Sequence, residues 1–482
     1  MSASRPGAGQ RIAALTPEQR ELLLRRLNER PAPAIVLPRE EPKLPAIPDG
    51  PYDPHRPWPL SDVQAVCWLG GTGLFDLGGS SPTVYVEYEL AGIAAELVRR
   101  LNPVVDRAVA RHPMLRTVIS GDGMQRVLAK APPFEVRIEN LSLLADREIE
   151  HHLESTRESL RYARHRSDRW PLFEMVVHQL PGERLCFQAR FDAILVDGIA
   201  RTLLLDELVR GVLAERAGAR RDDPPPLPVS YLDFVRATQG FRLTSTWQRC
   251  RAYWRQRLER LPSAPRLPLA RDFGPRTVPR IVRRQVTVLD HRPWGALCRQ
   301  AALRGITPTA LGTAMVAEVL RSFSEEPCFT LALDESYCPP IHPQIRQVIG
   351  NFTALHLLAI EDARGSFEER ARRLQDRLTT DIDHQHFFGG EALRELNRMR
   401  RAGGRATLPI LFTSILTGTP APATPAPATP APAAGPAPPQ DPPAAGELRQ
   451  VDLMVTLPQV LLDWVLAEEP ADRSFVLISQ AV

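Results

Sequence analysis

Val84, Val86, Tyr88 and Leu90 occupy alternate positions, the period of a half-buried strand. Ile93, Leu97, Leu101, Val104 and Ala108 then recur at three- and four-residue intervals, which predicts a helix. The same change of period follows in Leu185, Phe187, Ala189 and Phe191 (strand) and in Ile199, Leu203, Leu204, Leu208 and Val212 (helix). The second half repeats the mixture. Strands are expected over Arg284–Leu289 and Cys328–Leu333, near Thr407–Leu416 and near Leu453–Val465. Helices are expected over Thr309–Arg321 and Phe367–Thr379. Pro224, Pro225 and Pro226 place a boundary near 215–240. The pattern predicts a mixed α/β (α+β) chain folded as two lobes of similar size.

Two segments stand apart from these lobes. Thr16, Pro17 and Gln19 form a helix start, with Leu23, Leu24 and Leu27 on one face and Pro31 as the stop. A proline-rich stretch to Pro59 reads as an extended linker. Residues 1–58 are thus expected to be an arm that packs or docks on a partner, followed by lobes over 59–230 and 231–482. Residues 419–446 carry Pro-Ala-Thr repeats, which favour polyproline II and predict an exposed insertion between two strands of the second lobe.

Composition narrows the class. Of 482 residues, 43% are hydrophobic and 24% charged, as in globular proteins. No apolar run approaches the roughly 20 residues of a membrane span, and Met1–Pro6 opens no apolar leader. Sixty basic residues face 56 acidic ones, a net charge of +4, which makes no electrostatic case for nucleic acid. Lys43 and Lys130 are the only lysines, an arginine-rich bias expected of a GC-rich bacterial genome. Cys67, Cys186, Cys250, Cys298, Cys328 and Cys338 show no metal-ligand or redox spacing and suit reduced thiols in a cytoplasm.

Candidate chemistry collects at one turn. Asp192 ends a predicted strand, and Asp197-Gly198 opens the next helix. Two carboxylates five apart on a strand-to-helix turn suit acid/base work, but equally suit helix capping and pairing with arginine. His151-His152 lies within a charged helical stretch and reads as a solvated face. No glycine-rich phosphate loop, HExxH or GxSxG motif is present, so neither nucleotide-driven nor metal-driven chemistry is indicated.

An ordered set of motifs adds a resemblance. Pro59-Leu60-Ser61-Asp62-Val63-Gln64 with Trp68-Leu69-Gly70, Arg111–Arg116 with Asp122-Gly123, and Trp170–Phe173 come first. Then follow Asp192-Ala-Ile-Leu-Val-Asp197-Gly198, Tyr253-Trp254, Thr307-Pro308-Thr309, Phe329-Thr330-Leu331 and Pro340-Ile341-His342-Pro343. Gly350-Asn351-Phe352-Thr353, Asp381–His384, Phe412-Thr413-Ser414 and Pro458–Asp463 complete the order. The sequence resembles the condensation-domain superfamily of nonribosomal peptide synthetases, and more narrowly its heterocyclization branch, in which DxxxxD replaces HHxxxDG.

The resemblance implies two chloramphenicol-acetyltransferase-like lobes forming a V-shaped pseudo-dimer around a central tunnel. It implies upstream and downstream carrier proteins as partners, with an adenylation domain in trans as a further candidate. Their phosphopantetheine arms carry the substrates, so no cofactor is expected on the domain itself. The implied reaction condenses an acyl or peptidyl thioester with carrier-bound cysteine, serine or threonine, then cyclodehydrates the amide to a thiazoline or oxazoline. Thr413 and Asp463 are implied as the acid/base pair, with Gln459 orienting the intermediate. Asp192 and Asp197 are implied as tunnel architecture, together with Tyr337, Asn351 and Thr353.

Several positions depart from the family pattern. Tyr337-Cys338 stands for Asn-Arg, and Asp334-Glu335-Ser336 precedes it as an acidic patch. Asn351 stands for an aspartate, Ala200 for a serine, and Val455-Thr456-Leu457 for Ser-Gln-Thr. These changes leave two alternatives open: a divergent member that only condenses or only cyclises, and a silent domain that only binds carrier proteins.

Overall fold

The computed structural model describes residues 44–416 and 448–481, apart from 51, 78–80, 92–97, 99, 165, 217–224, 270–282, 362, 388 and 469–472. The expected helix after Thr16, the Pro/Ala-rich insertion and the start of the helix at Ile93 lie outside the described residues.

In chain order the first half holds β1 (Trp58–Pro59), α1 (Asp62–Gly71), β2 (Thr83–Ala91), α2 (Leu101–Arg111), β3 (Thr117–Ile119), β4 (Met124–Val127), β5 (Arg137–Asn140), α3 (Asp146–Tyr162), β6 (Phe173–Leu180), β7 (Arg184–Asp192) and α4 (Gly198–Arg216). Next come α5 (Tyr231–Phe241), α6 (Ser245–Leu258), β8 (Arg283–Leu289), α7 (His291–Ala302), α8 (Pro308–Phe323), β9 (Phe329–Ser336) and β10 (Thr353–Ile360). The chain closes with α9 (Phe367–Ile382), α10 (Gly389–Met399), β11 (Ile410–Ile415), β12 (Leu448–Thr456), β13 (Leu462–Glu468) and β14 (Phe475–Ala481).

Two main sheets organise these elements, as the two-lobe expectation requires. The first has five strands in the order β12-β2-β7-β6-β5 and the second six in the order β10-β9-β11-β13-β14-β8. The long hairpin of β6 and β7 and the pairing of β2 with β7 follow from alternation: Val84, Val86, Ala189 and Phe191 share one apolar face, while Glu87, Gln188 and Arg190 are buried on the other. The second sheet has a parallel centre, β9-β11-β13, flanked by antiparallel strands. On one of its faces Leu331, Leu333, Phe412 and Leu466 pack under α7 and α8, around Trp294, Ala310 and Leu320. On the other face Ala332, Leu357, Ala359 and Leu411 meet α6 and α10 through Trp254, Ala392 and Leu396.

The structure corrects one expected strand. Leu453–Val465 is two strands in different sheets. β12 is hydrogen-bonded to β2 in the first lobe, whereas β13 lies between β11 and β14 in the second. Proline explains the break: Pro458 has no amide proton for a ladder, and Gln459 takes a left-handed φ of 65°. The amides of Leu461 and Leu462 then both donate to the Pro409 carbonyl, at 2.7 and 3.2 Å, which aims β13 into the second sheet. The insertion 419–446 therefore falls between strands of opposite lobes, not two strands of the second lobe as the sequence suggests.

The crossing strand is fastened at several points. Arg161 of α3 is ion-paired with Asp452, and the Tyr88 hydroxyl donates to Gln450 Oε1 at 3.0 Å. Pro458 packs on Gly70 of α1 so closely that an added Cβ would lie 2.2 Å from its Cγ. This close approach requires glycine at position 70.

Candidate functional site

The Asp192–Asp197 turn follows β7. Asp192 Oδ1 accepts the Ile194 amide at 2.9 Å, and burial pushes the carboxyl up to about 6 against the pull of Arg190. Asp197 is the N-terminal cap of α4: its Oδ1 accepts the Ala200 amide at 2.7 Å. Its Oδ2 accepts the Phe352 amide at 2.8 Å, from a segment preceding β10 in the second lobe. Burial raises Asp197, and these amide bonds hold it down in part. Of the two structural alternatives open from spacing, capping is the one observed.

The same turn receives the Gly350–Thr353 segment. The Asn351 side-chain amide donates to the Ala193 carbonyl at 2.6 Å, and its Oδ1 accepts the Thr353 amide at 3.0 Å. An aspartate there would have no proton for Ala193 once ionised, so the neutral amide is matched to this chain's turn. Gly350 lets the Tyr231 ring approach; an added Cβ would fall 2.1 Å from the ring. The Tyr231 hydroxyl donates to Ser61 Oγ at 2.9 Å, and the Gln64 side chain donates to the Ile194 carbonyl at 3.1 Å. The first motif therefore braces the turn from α1.

A second cluster lies on the second sheet. β9 and β11 run parallel with Asp334 directly beside Thr413. β11 and β13 run parallel with Leu411 beside Asp463 and Thr413 beside Val465. Alternation fixes the rest: Asp334, Thr413 and Asp463 share the face of Ala332 and Leu411, opposite the apolar face under α7 and α8. Thr413 is the register neighbour of Asp334 on this face, and its hydroxyl favours the ionised form of the Asp334 carboxyl.

Electrostatics separate this cluster from the turn. Asp463 is 7% exposed, and its Oδ1 has no hydrogen-bond partner among the described residues. Burial alone pushes it up to about 7. Asp334 is raised well above the usual carboxylate range, by burial and by repulsion from Asp463, Asp197 and Glu335. Both carboxyls are thus raised, and the charge on Asp463 is one of the influences that raise Asp334. Two raised carboxyls on one sheet face, Asp463 buried and Asp334 partly open, are equipment for proton transfer.

The remaining candidates sit apart. Gln459 lies at the turn between β12 and β13, where its amide donates to the Leu77 carbonyl at 3.0 Å. Among the described residues no hydrogen bond joins its side chain to Thr413 or Asp463. Tyr337 follows the end of β9; its amide donates to the Phe352 carbonyl at 2.8 Å, and its hydroxyl lies 2.8 Å from His386 Nδ1. Tyr337 thus braces the Gly350–Thr353 segment from the other side. Thr353 opens β10 opposite Ser336. His151 and His152 are exposed on α3. Among the described residues no group of three or more His, Cys, Asp or Glu side chains is arranged to hold a metal ion. No helix among them is long and apolar enough to cross a membrane.

Asp334 is the member of the cluster that sequence reasoning did not place. Its signal was the polar run after Phe329–Leu333, and alternation would have put it on the face of Ala332. The parallel register with Thr413 carries the rest, and no local pattern encodes that.

The comparisons agree with this architecture. The family model for the condensation domain matches residues 81–412. Pyochelin synthetase PchF of Pseudomonas aeruginosa (strain PAO1) is 36% identical over 361 residues, which is 75% of this chain and 19% of that protein. Phenyloxazoline synthase MbtB of Mycobacterium sp. (strain MCS) is 31% identical over 367 residues, 76% of this chain and 30% of that protein. The chain thus spans about a fifth to a third of the length of these curated relatives. The cyclization-docking bidomain of EpoB from Sorangium cellulosum superimposes with a TM-score of 0.72 at 29% identity, covering 97% of this chain and 88% of that one. The first condensation domain of the CDA synthetase shares the fold with a TM-score of 0.65 at 18% identity. The chain belongs to the condensation-domain family, as the order of its motifs led one to expect.

Proposed function

We propose that this chain is a heterocyclization domain of a nonribosomal peptide synthetase. It joins a carrier-bound acyl or peptidyl thioester to carrier-bound cysteine, serine or threonine, and closes the new amide to a thiazoline or oxazoline. The observation that carries this reading is Asp463, a buried carboxyl with an unpartnered oxygen, pushed up to about 7 on the face it shares with Thr413.

Ring closure needs such a group. The side-chain thiol or hydroxyl adds to the amide carbonyl, and the resulting tetrahedral centre must lose water. That requires a proton delivered to the departing oxygen and one removed from the ring nitrogen. A carboxyl near 7 can hold and release a proton at neutral pH, which an ordinary aspartate near 4 cannot do efficiently. Thr413, on the same face and beside Asp334, is placed to position the reacting groups. The relatives support the reading: MbtB is a phenyloxazoline synthase by name, and the EpoB unit is a cyclization domain.

The turn at Asp192 and Asp197 then serves as architecture, locking α4 to the Gly350–Thr353 segment of the other lobe. The substrates arrive on phosphopantetheine arms of carrier proteins upstream and downstream, so the domain itself needs no cofactor.

The test is intact-mass spectrometry of a donor-loaded carrier and an aminoacyl carrier mixed with this chain, with cysteine, serine and threonine in separate reactions. Acyl transfer with loss of one water supports the proposal. Transfer without water loss replaces it with simple condensation. Carrier binding with no transfer at all makes the domain a silent docking unit.

A further inference from the structure

Three places on the molecule hold polar or apolar groups that the proposed reaction has not used. One is an apolar cavity between α2, α4 and the first sheet, lined by Leu101, Phe187, Leu205 and Val212; nothing in the structure shows what fills it. A second is the arginine-lined hollow between α8 and α9, where Arg370 and Arg321 are already paired with Glu318. The third is Asp334, and its setting carries an inference.

Asp334 lies partly open at the end of β9, beside Thr413 and on the same face as Asp463. The groups acting on it come from every element around it. Asp463 faces it from β13, Asp197 from the start of α4, and Glu335 from its own strand. Cys67 of α1 is close enough to feel both Asp334 and Asp192. Each of these strongest influences is anionic or neutral; none is a cation. Glu335 turns its charge elsewhere, toward His356 at 3.1 Å. Thr413 lies beside Asp334 in the register, while Asp463 keeps its Oδ1 unpartnered among the described residues. Two carboxyls are thus set on one sheet face, with the Thr413 hydroxyl beside Asp334 and no cation among its strongest influences in the described residues.

We propose that Asp334 is a second catalytic carboxyl of ring closure: it is the acid that protonates the departing oxygen, and Asp463 is the base that takes the ring N–H proton. This inference rests on the heterocyclization reading and adds a residue to it. The step balances without any redox partner. The thiol or hydroxyl adds to the amide carbonyl, forming the C–S or C–O bond of the ring, and its proton ends on the former carbonyl oxygen. Asp334 then gives its proton to that hydroxyl, the C–O bond breaks, and water leaves. The ring nitrogen forms C=N and passes its proton to Asp463. One proton has moved from Asp334 to Asp463. Its return from Asp463 to Asp334 by way of solvent, which the partly open Asp334 can reach, resets the site.

The arrangement predicts a bell-shaped dependence of ring closure on pH. Closure falls as pH drops below about 7, where Asp463 becomes protonated, and falls again at high pH where Asp334 ionises. The experiment supplies a preformed, carrier-bound N-acyl-cysteinyl substrate and follows water loss by intact mass in the full chain, in Asp334→Asn and in Asp463→Asn. Asp334→Asn should slow closure by ~100-fold or more and remove the high-pH limb. Asp463→Asn should remove the low-pH limb instead. Infrared spectra of 13C-aspartate-labelled protein give a second readout: a protonated carboxyl band at the pH of fastest ring closure should be present in the native chain and absent in Asp334→Asn.

The inference is overturned if folded Asp334→Asn closes the ring at the native rate with both limbs kept. It is also overturned if the native protein shows no protonated carboxyl at the pH of fastest ring closure that the substitution removes. A native chain that closes no ring at any pH overturns the heterocyclization reading itself, and this inference with it. A native chain that closes rings while Asp334→Asn does so equally well overturns this inference alone.

Discussion

The turn at Asp192–Asp197 and the sheet face at Asp334, Thr413 and Asp463 use the same side chain for opposite ends. Both bury aspartates, and in both the burial raises them. In the turn the carboxylate oxygens are engaged: Ile194, Ala200 and Phe352 all donate backbone amides to them. On the sheet face Asp463 has an oxygen with no partner, and the strongest neighbours of Asp334 repel it. Amide donors compensate a buried charge and make it a structural pin; their lack leaves a proton that can be moved. The difference is one of partners, not of residue type. It explains why a five-residue spacing of aspartates in the sequence left acid/base work and capping both open, and why the amide bonds favour capping for Asp197.

The comparison is sharpest where a single substitution should affect one region and spare the other. The largest effect belongs to Asp463→Ala. Ring closure should fall by ~100-fold or more relative to its smaller effect on amide formation, read from the ratio of cyclised to open product by intact mass. Equal losses in both steps would move Asp463 out of the proton-transfer role.

Asp197→Ala comes next and should act through folding. It leaves the Ala200 and Phe352 amides without acceptors, so denaturant unfolding should show a loss of about 2–4 kcal/mol. Unchanged stability would mean that the turn is not the pin its bonds describe.

Stability against pH separates the regions further. A buried Asp463 held near 7 in the folded chain and near 4 when unfolded binds more protons folded than unfolded between those values. Its ionisation therefore costs stability as pH rises through that window. Asp463→Asn should unfold at higher denaturant than the native chain at pH 8, by on the order of 2–4 kcal/mol, with the advantage shrinking toward pH 4. A substitution that is neutral at pH 8 would contradict the uncompensated burial.

Asn351→Asp should cost about 1–3 kcal/mol, because an ionised carboxylate loses the bond to Ala193 and adds charge beside Asp192 and Asp197. The cost should grow from pH 5 to pH 8, measured by thermal unfolding at each pH. The smallest effect is Gln459→Gly. Glycine relieves the left-handed φ of 65° and should stabilise the turn by about 0.5–1 kcal/mol, leaving the ratio of cyclised to open product within about twofold. A large shift in that ratio would bring the Gln459 side chain into the reaction after all.

Much of the fold was legible because it depends on local period. Val84–Leu90 and Leu185–Phe191 gave their strands by alternation, and Thr307-Pro308 gave the start of α8 by capping chemistry: Thr307 accepts the Ala310 amide at 3.2 Å. What the sequence did not show was pairing between distant segments. β12 reads like any second-lobe strand, yet it joins β2 across more than 350 residues, as Tyr88 and Gln450 attest. The site divides the same way. Thr413 and Asp463 came from the motif order, and the turn aspartates from their position after a strand. Asp334 needed the register of β9 against β11, a contact 79 residues apart that only the assembled sheet sets.

The most direct test of the account is the product of one reaction, run in parallel with the native chain and Asp463→Asn: donor-loaded carrier plus cysteinyl carrier, read by intact mass at pH 8. The account predicts acyl transfer with loss of one water by the native chain, and acyl transfer that keeps the water in Asp463→Asn. Water loss by Asp463→Asn at the native rate would contradict it.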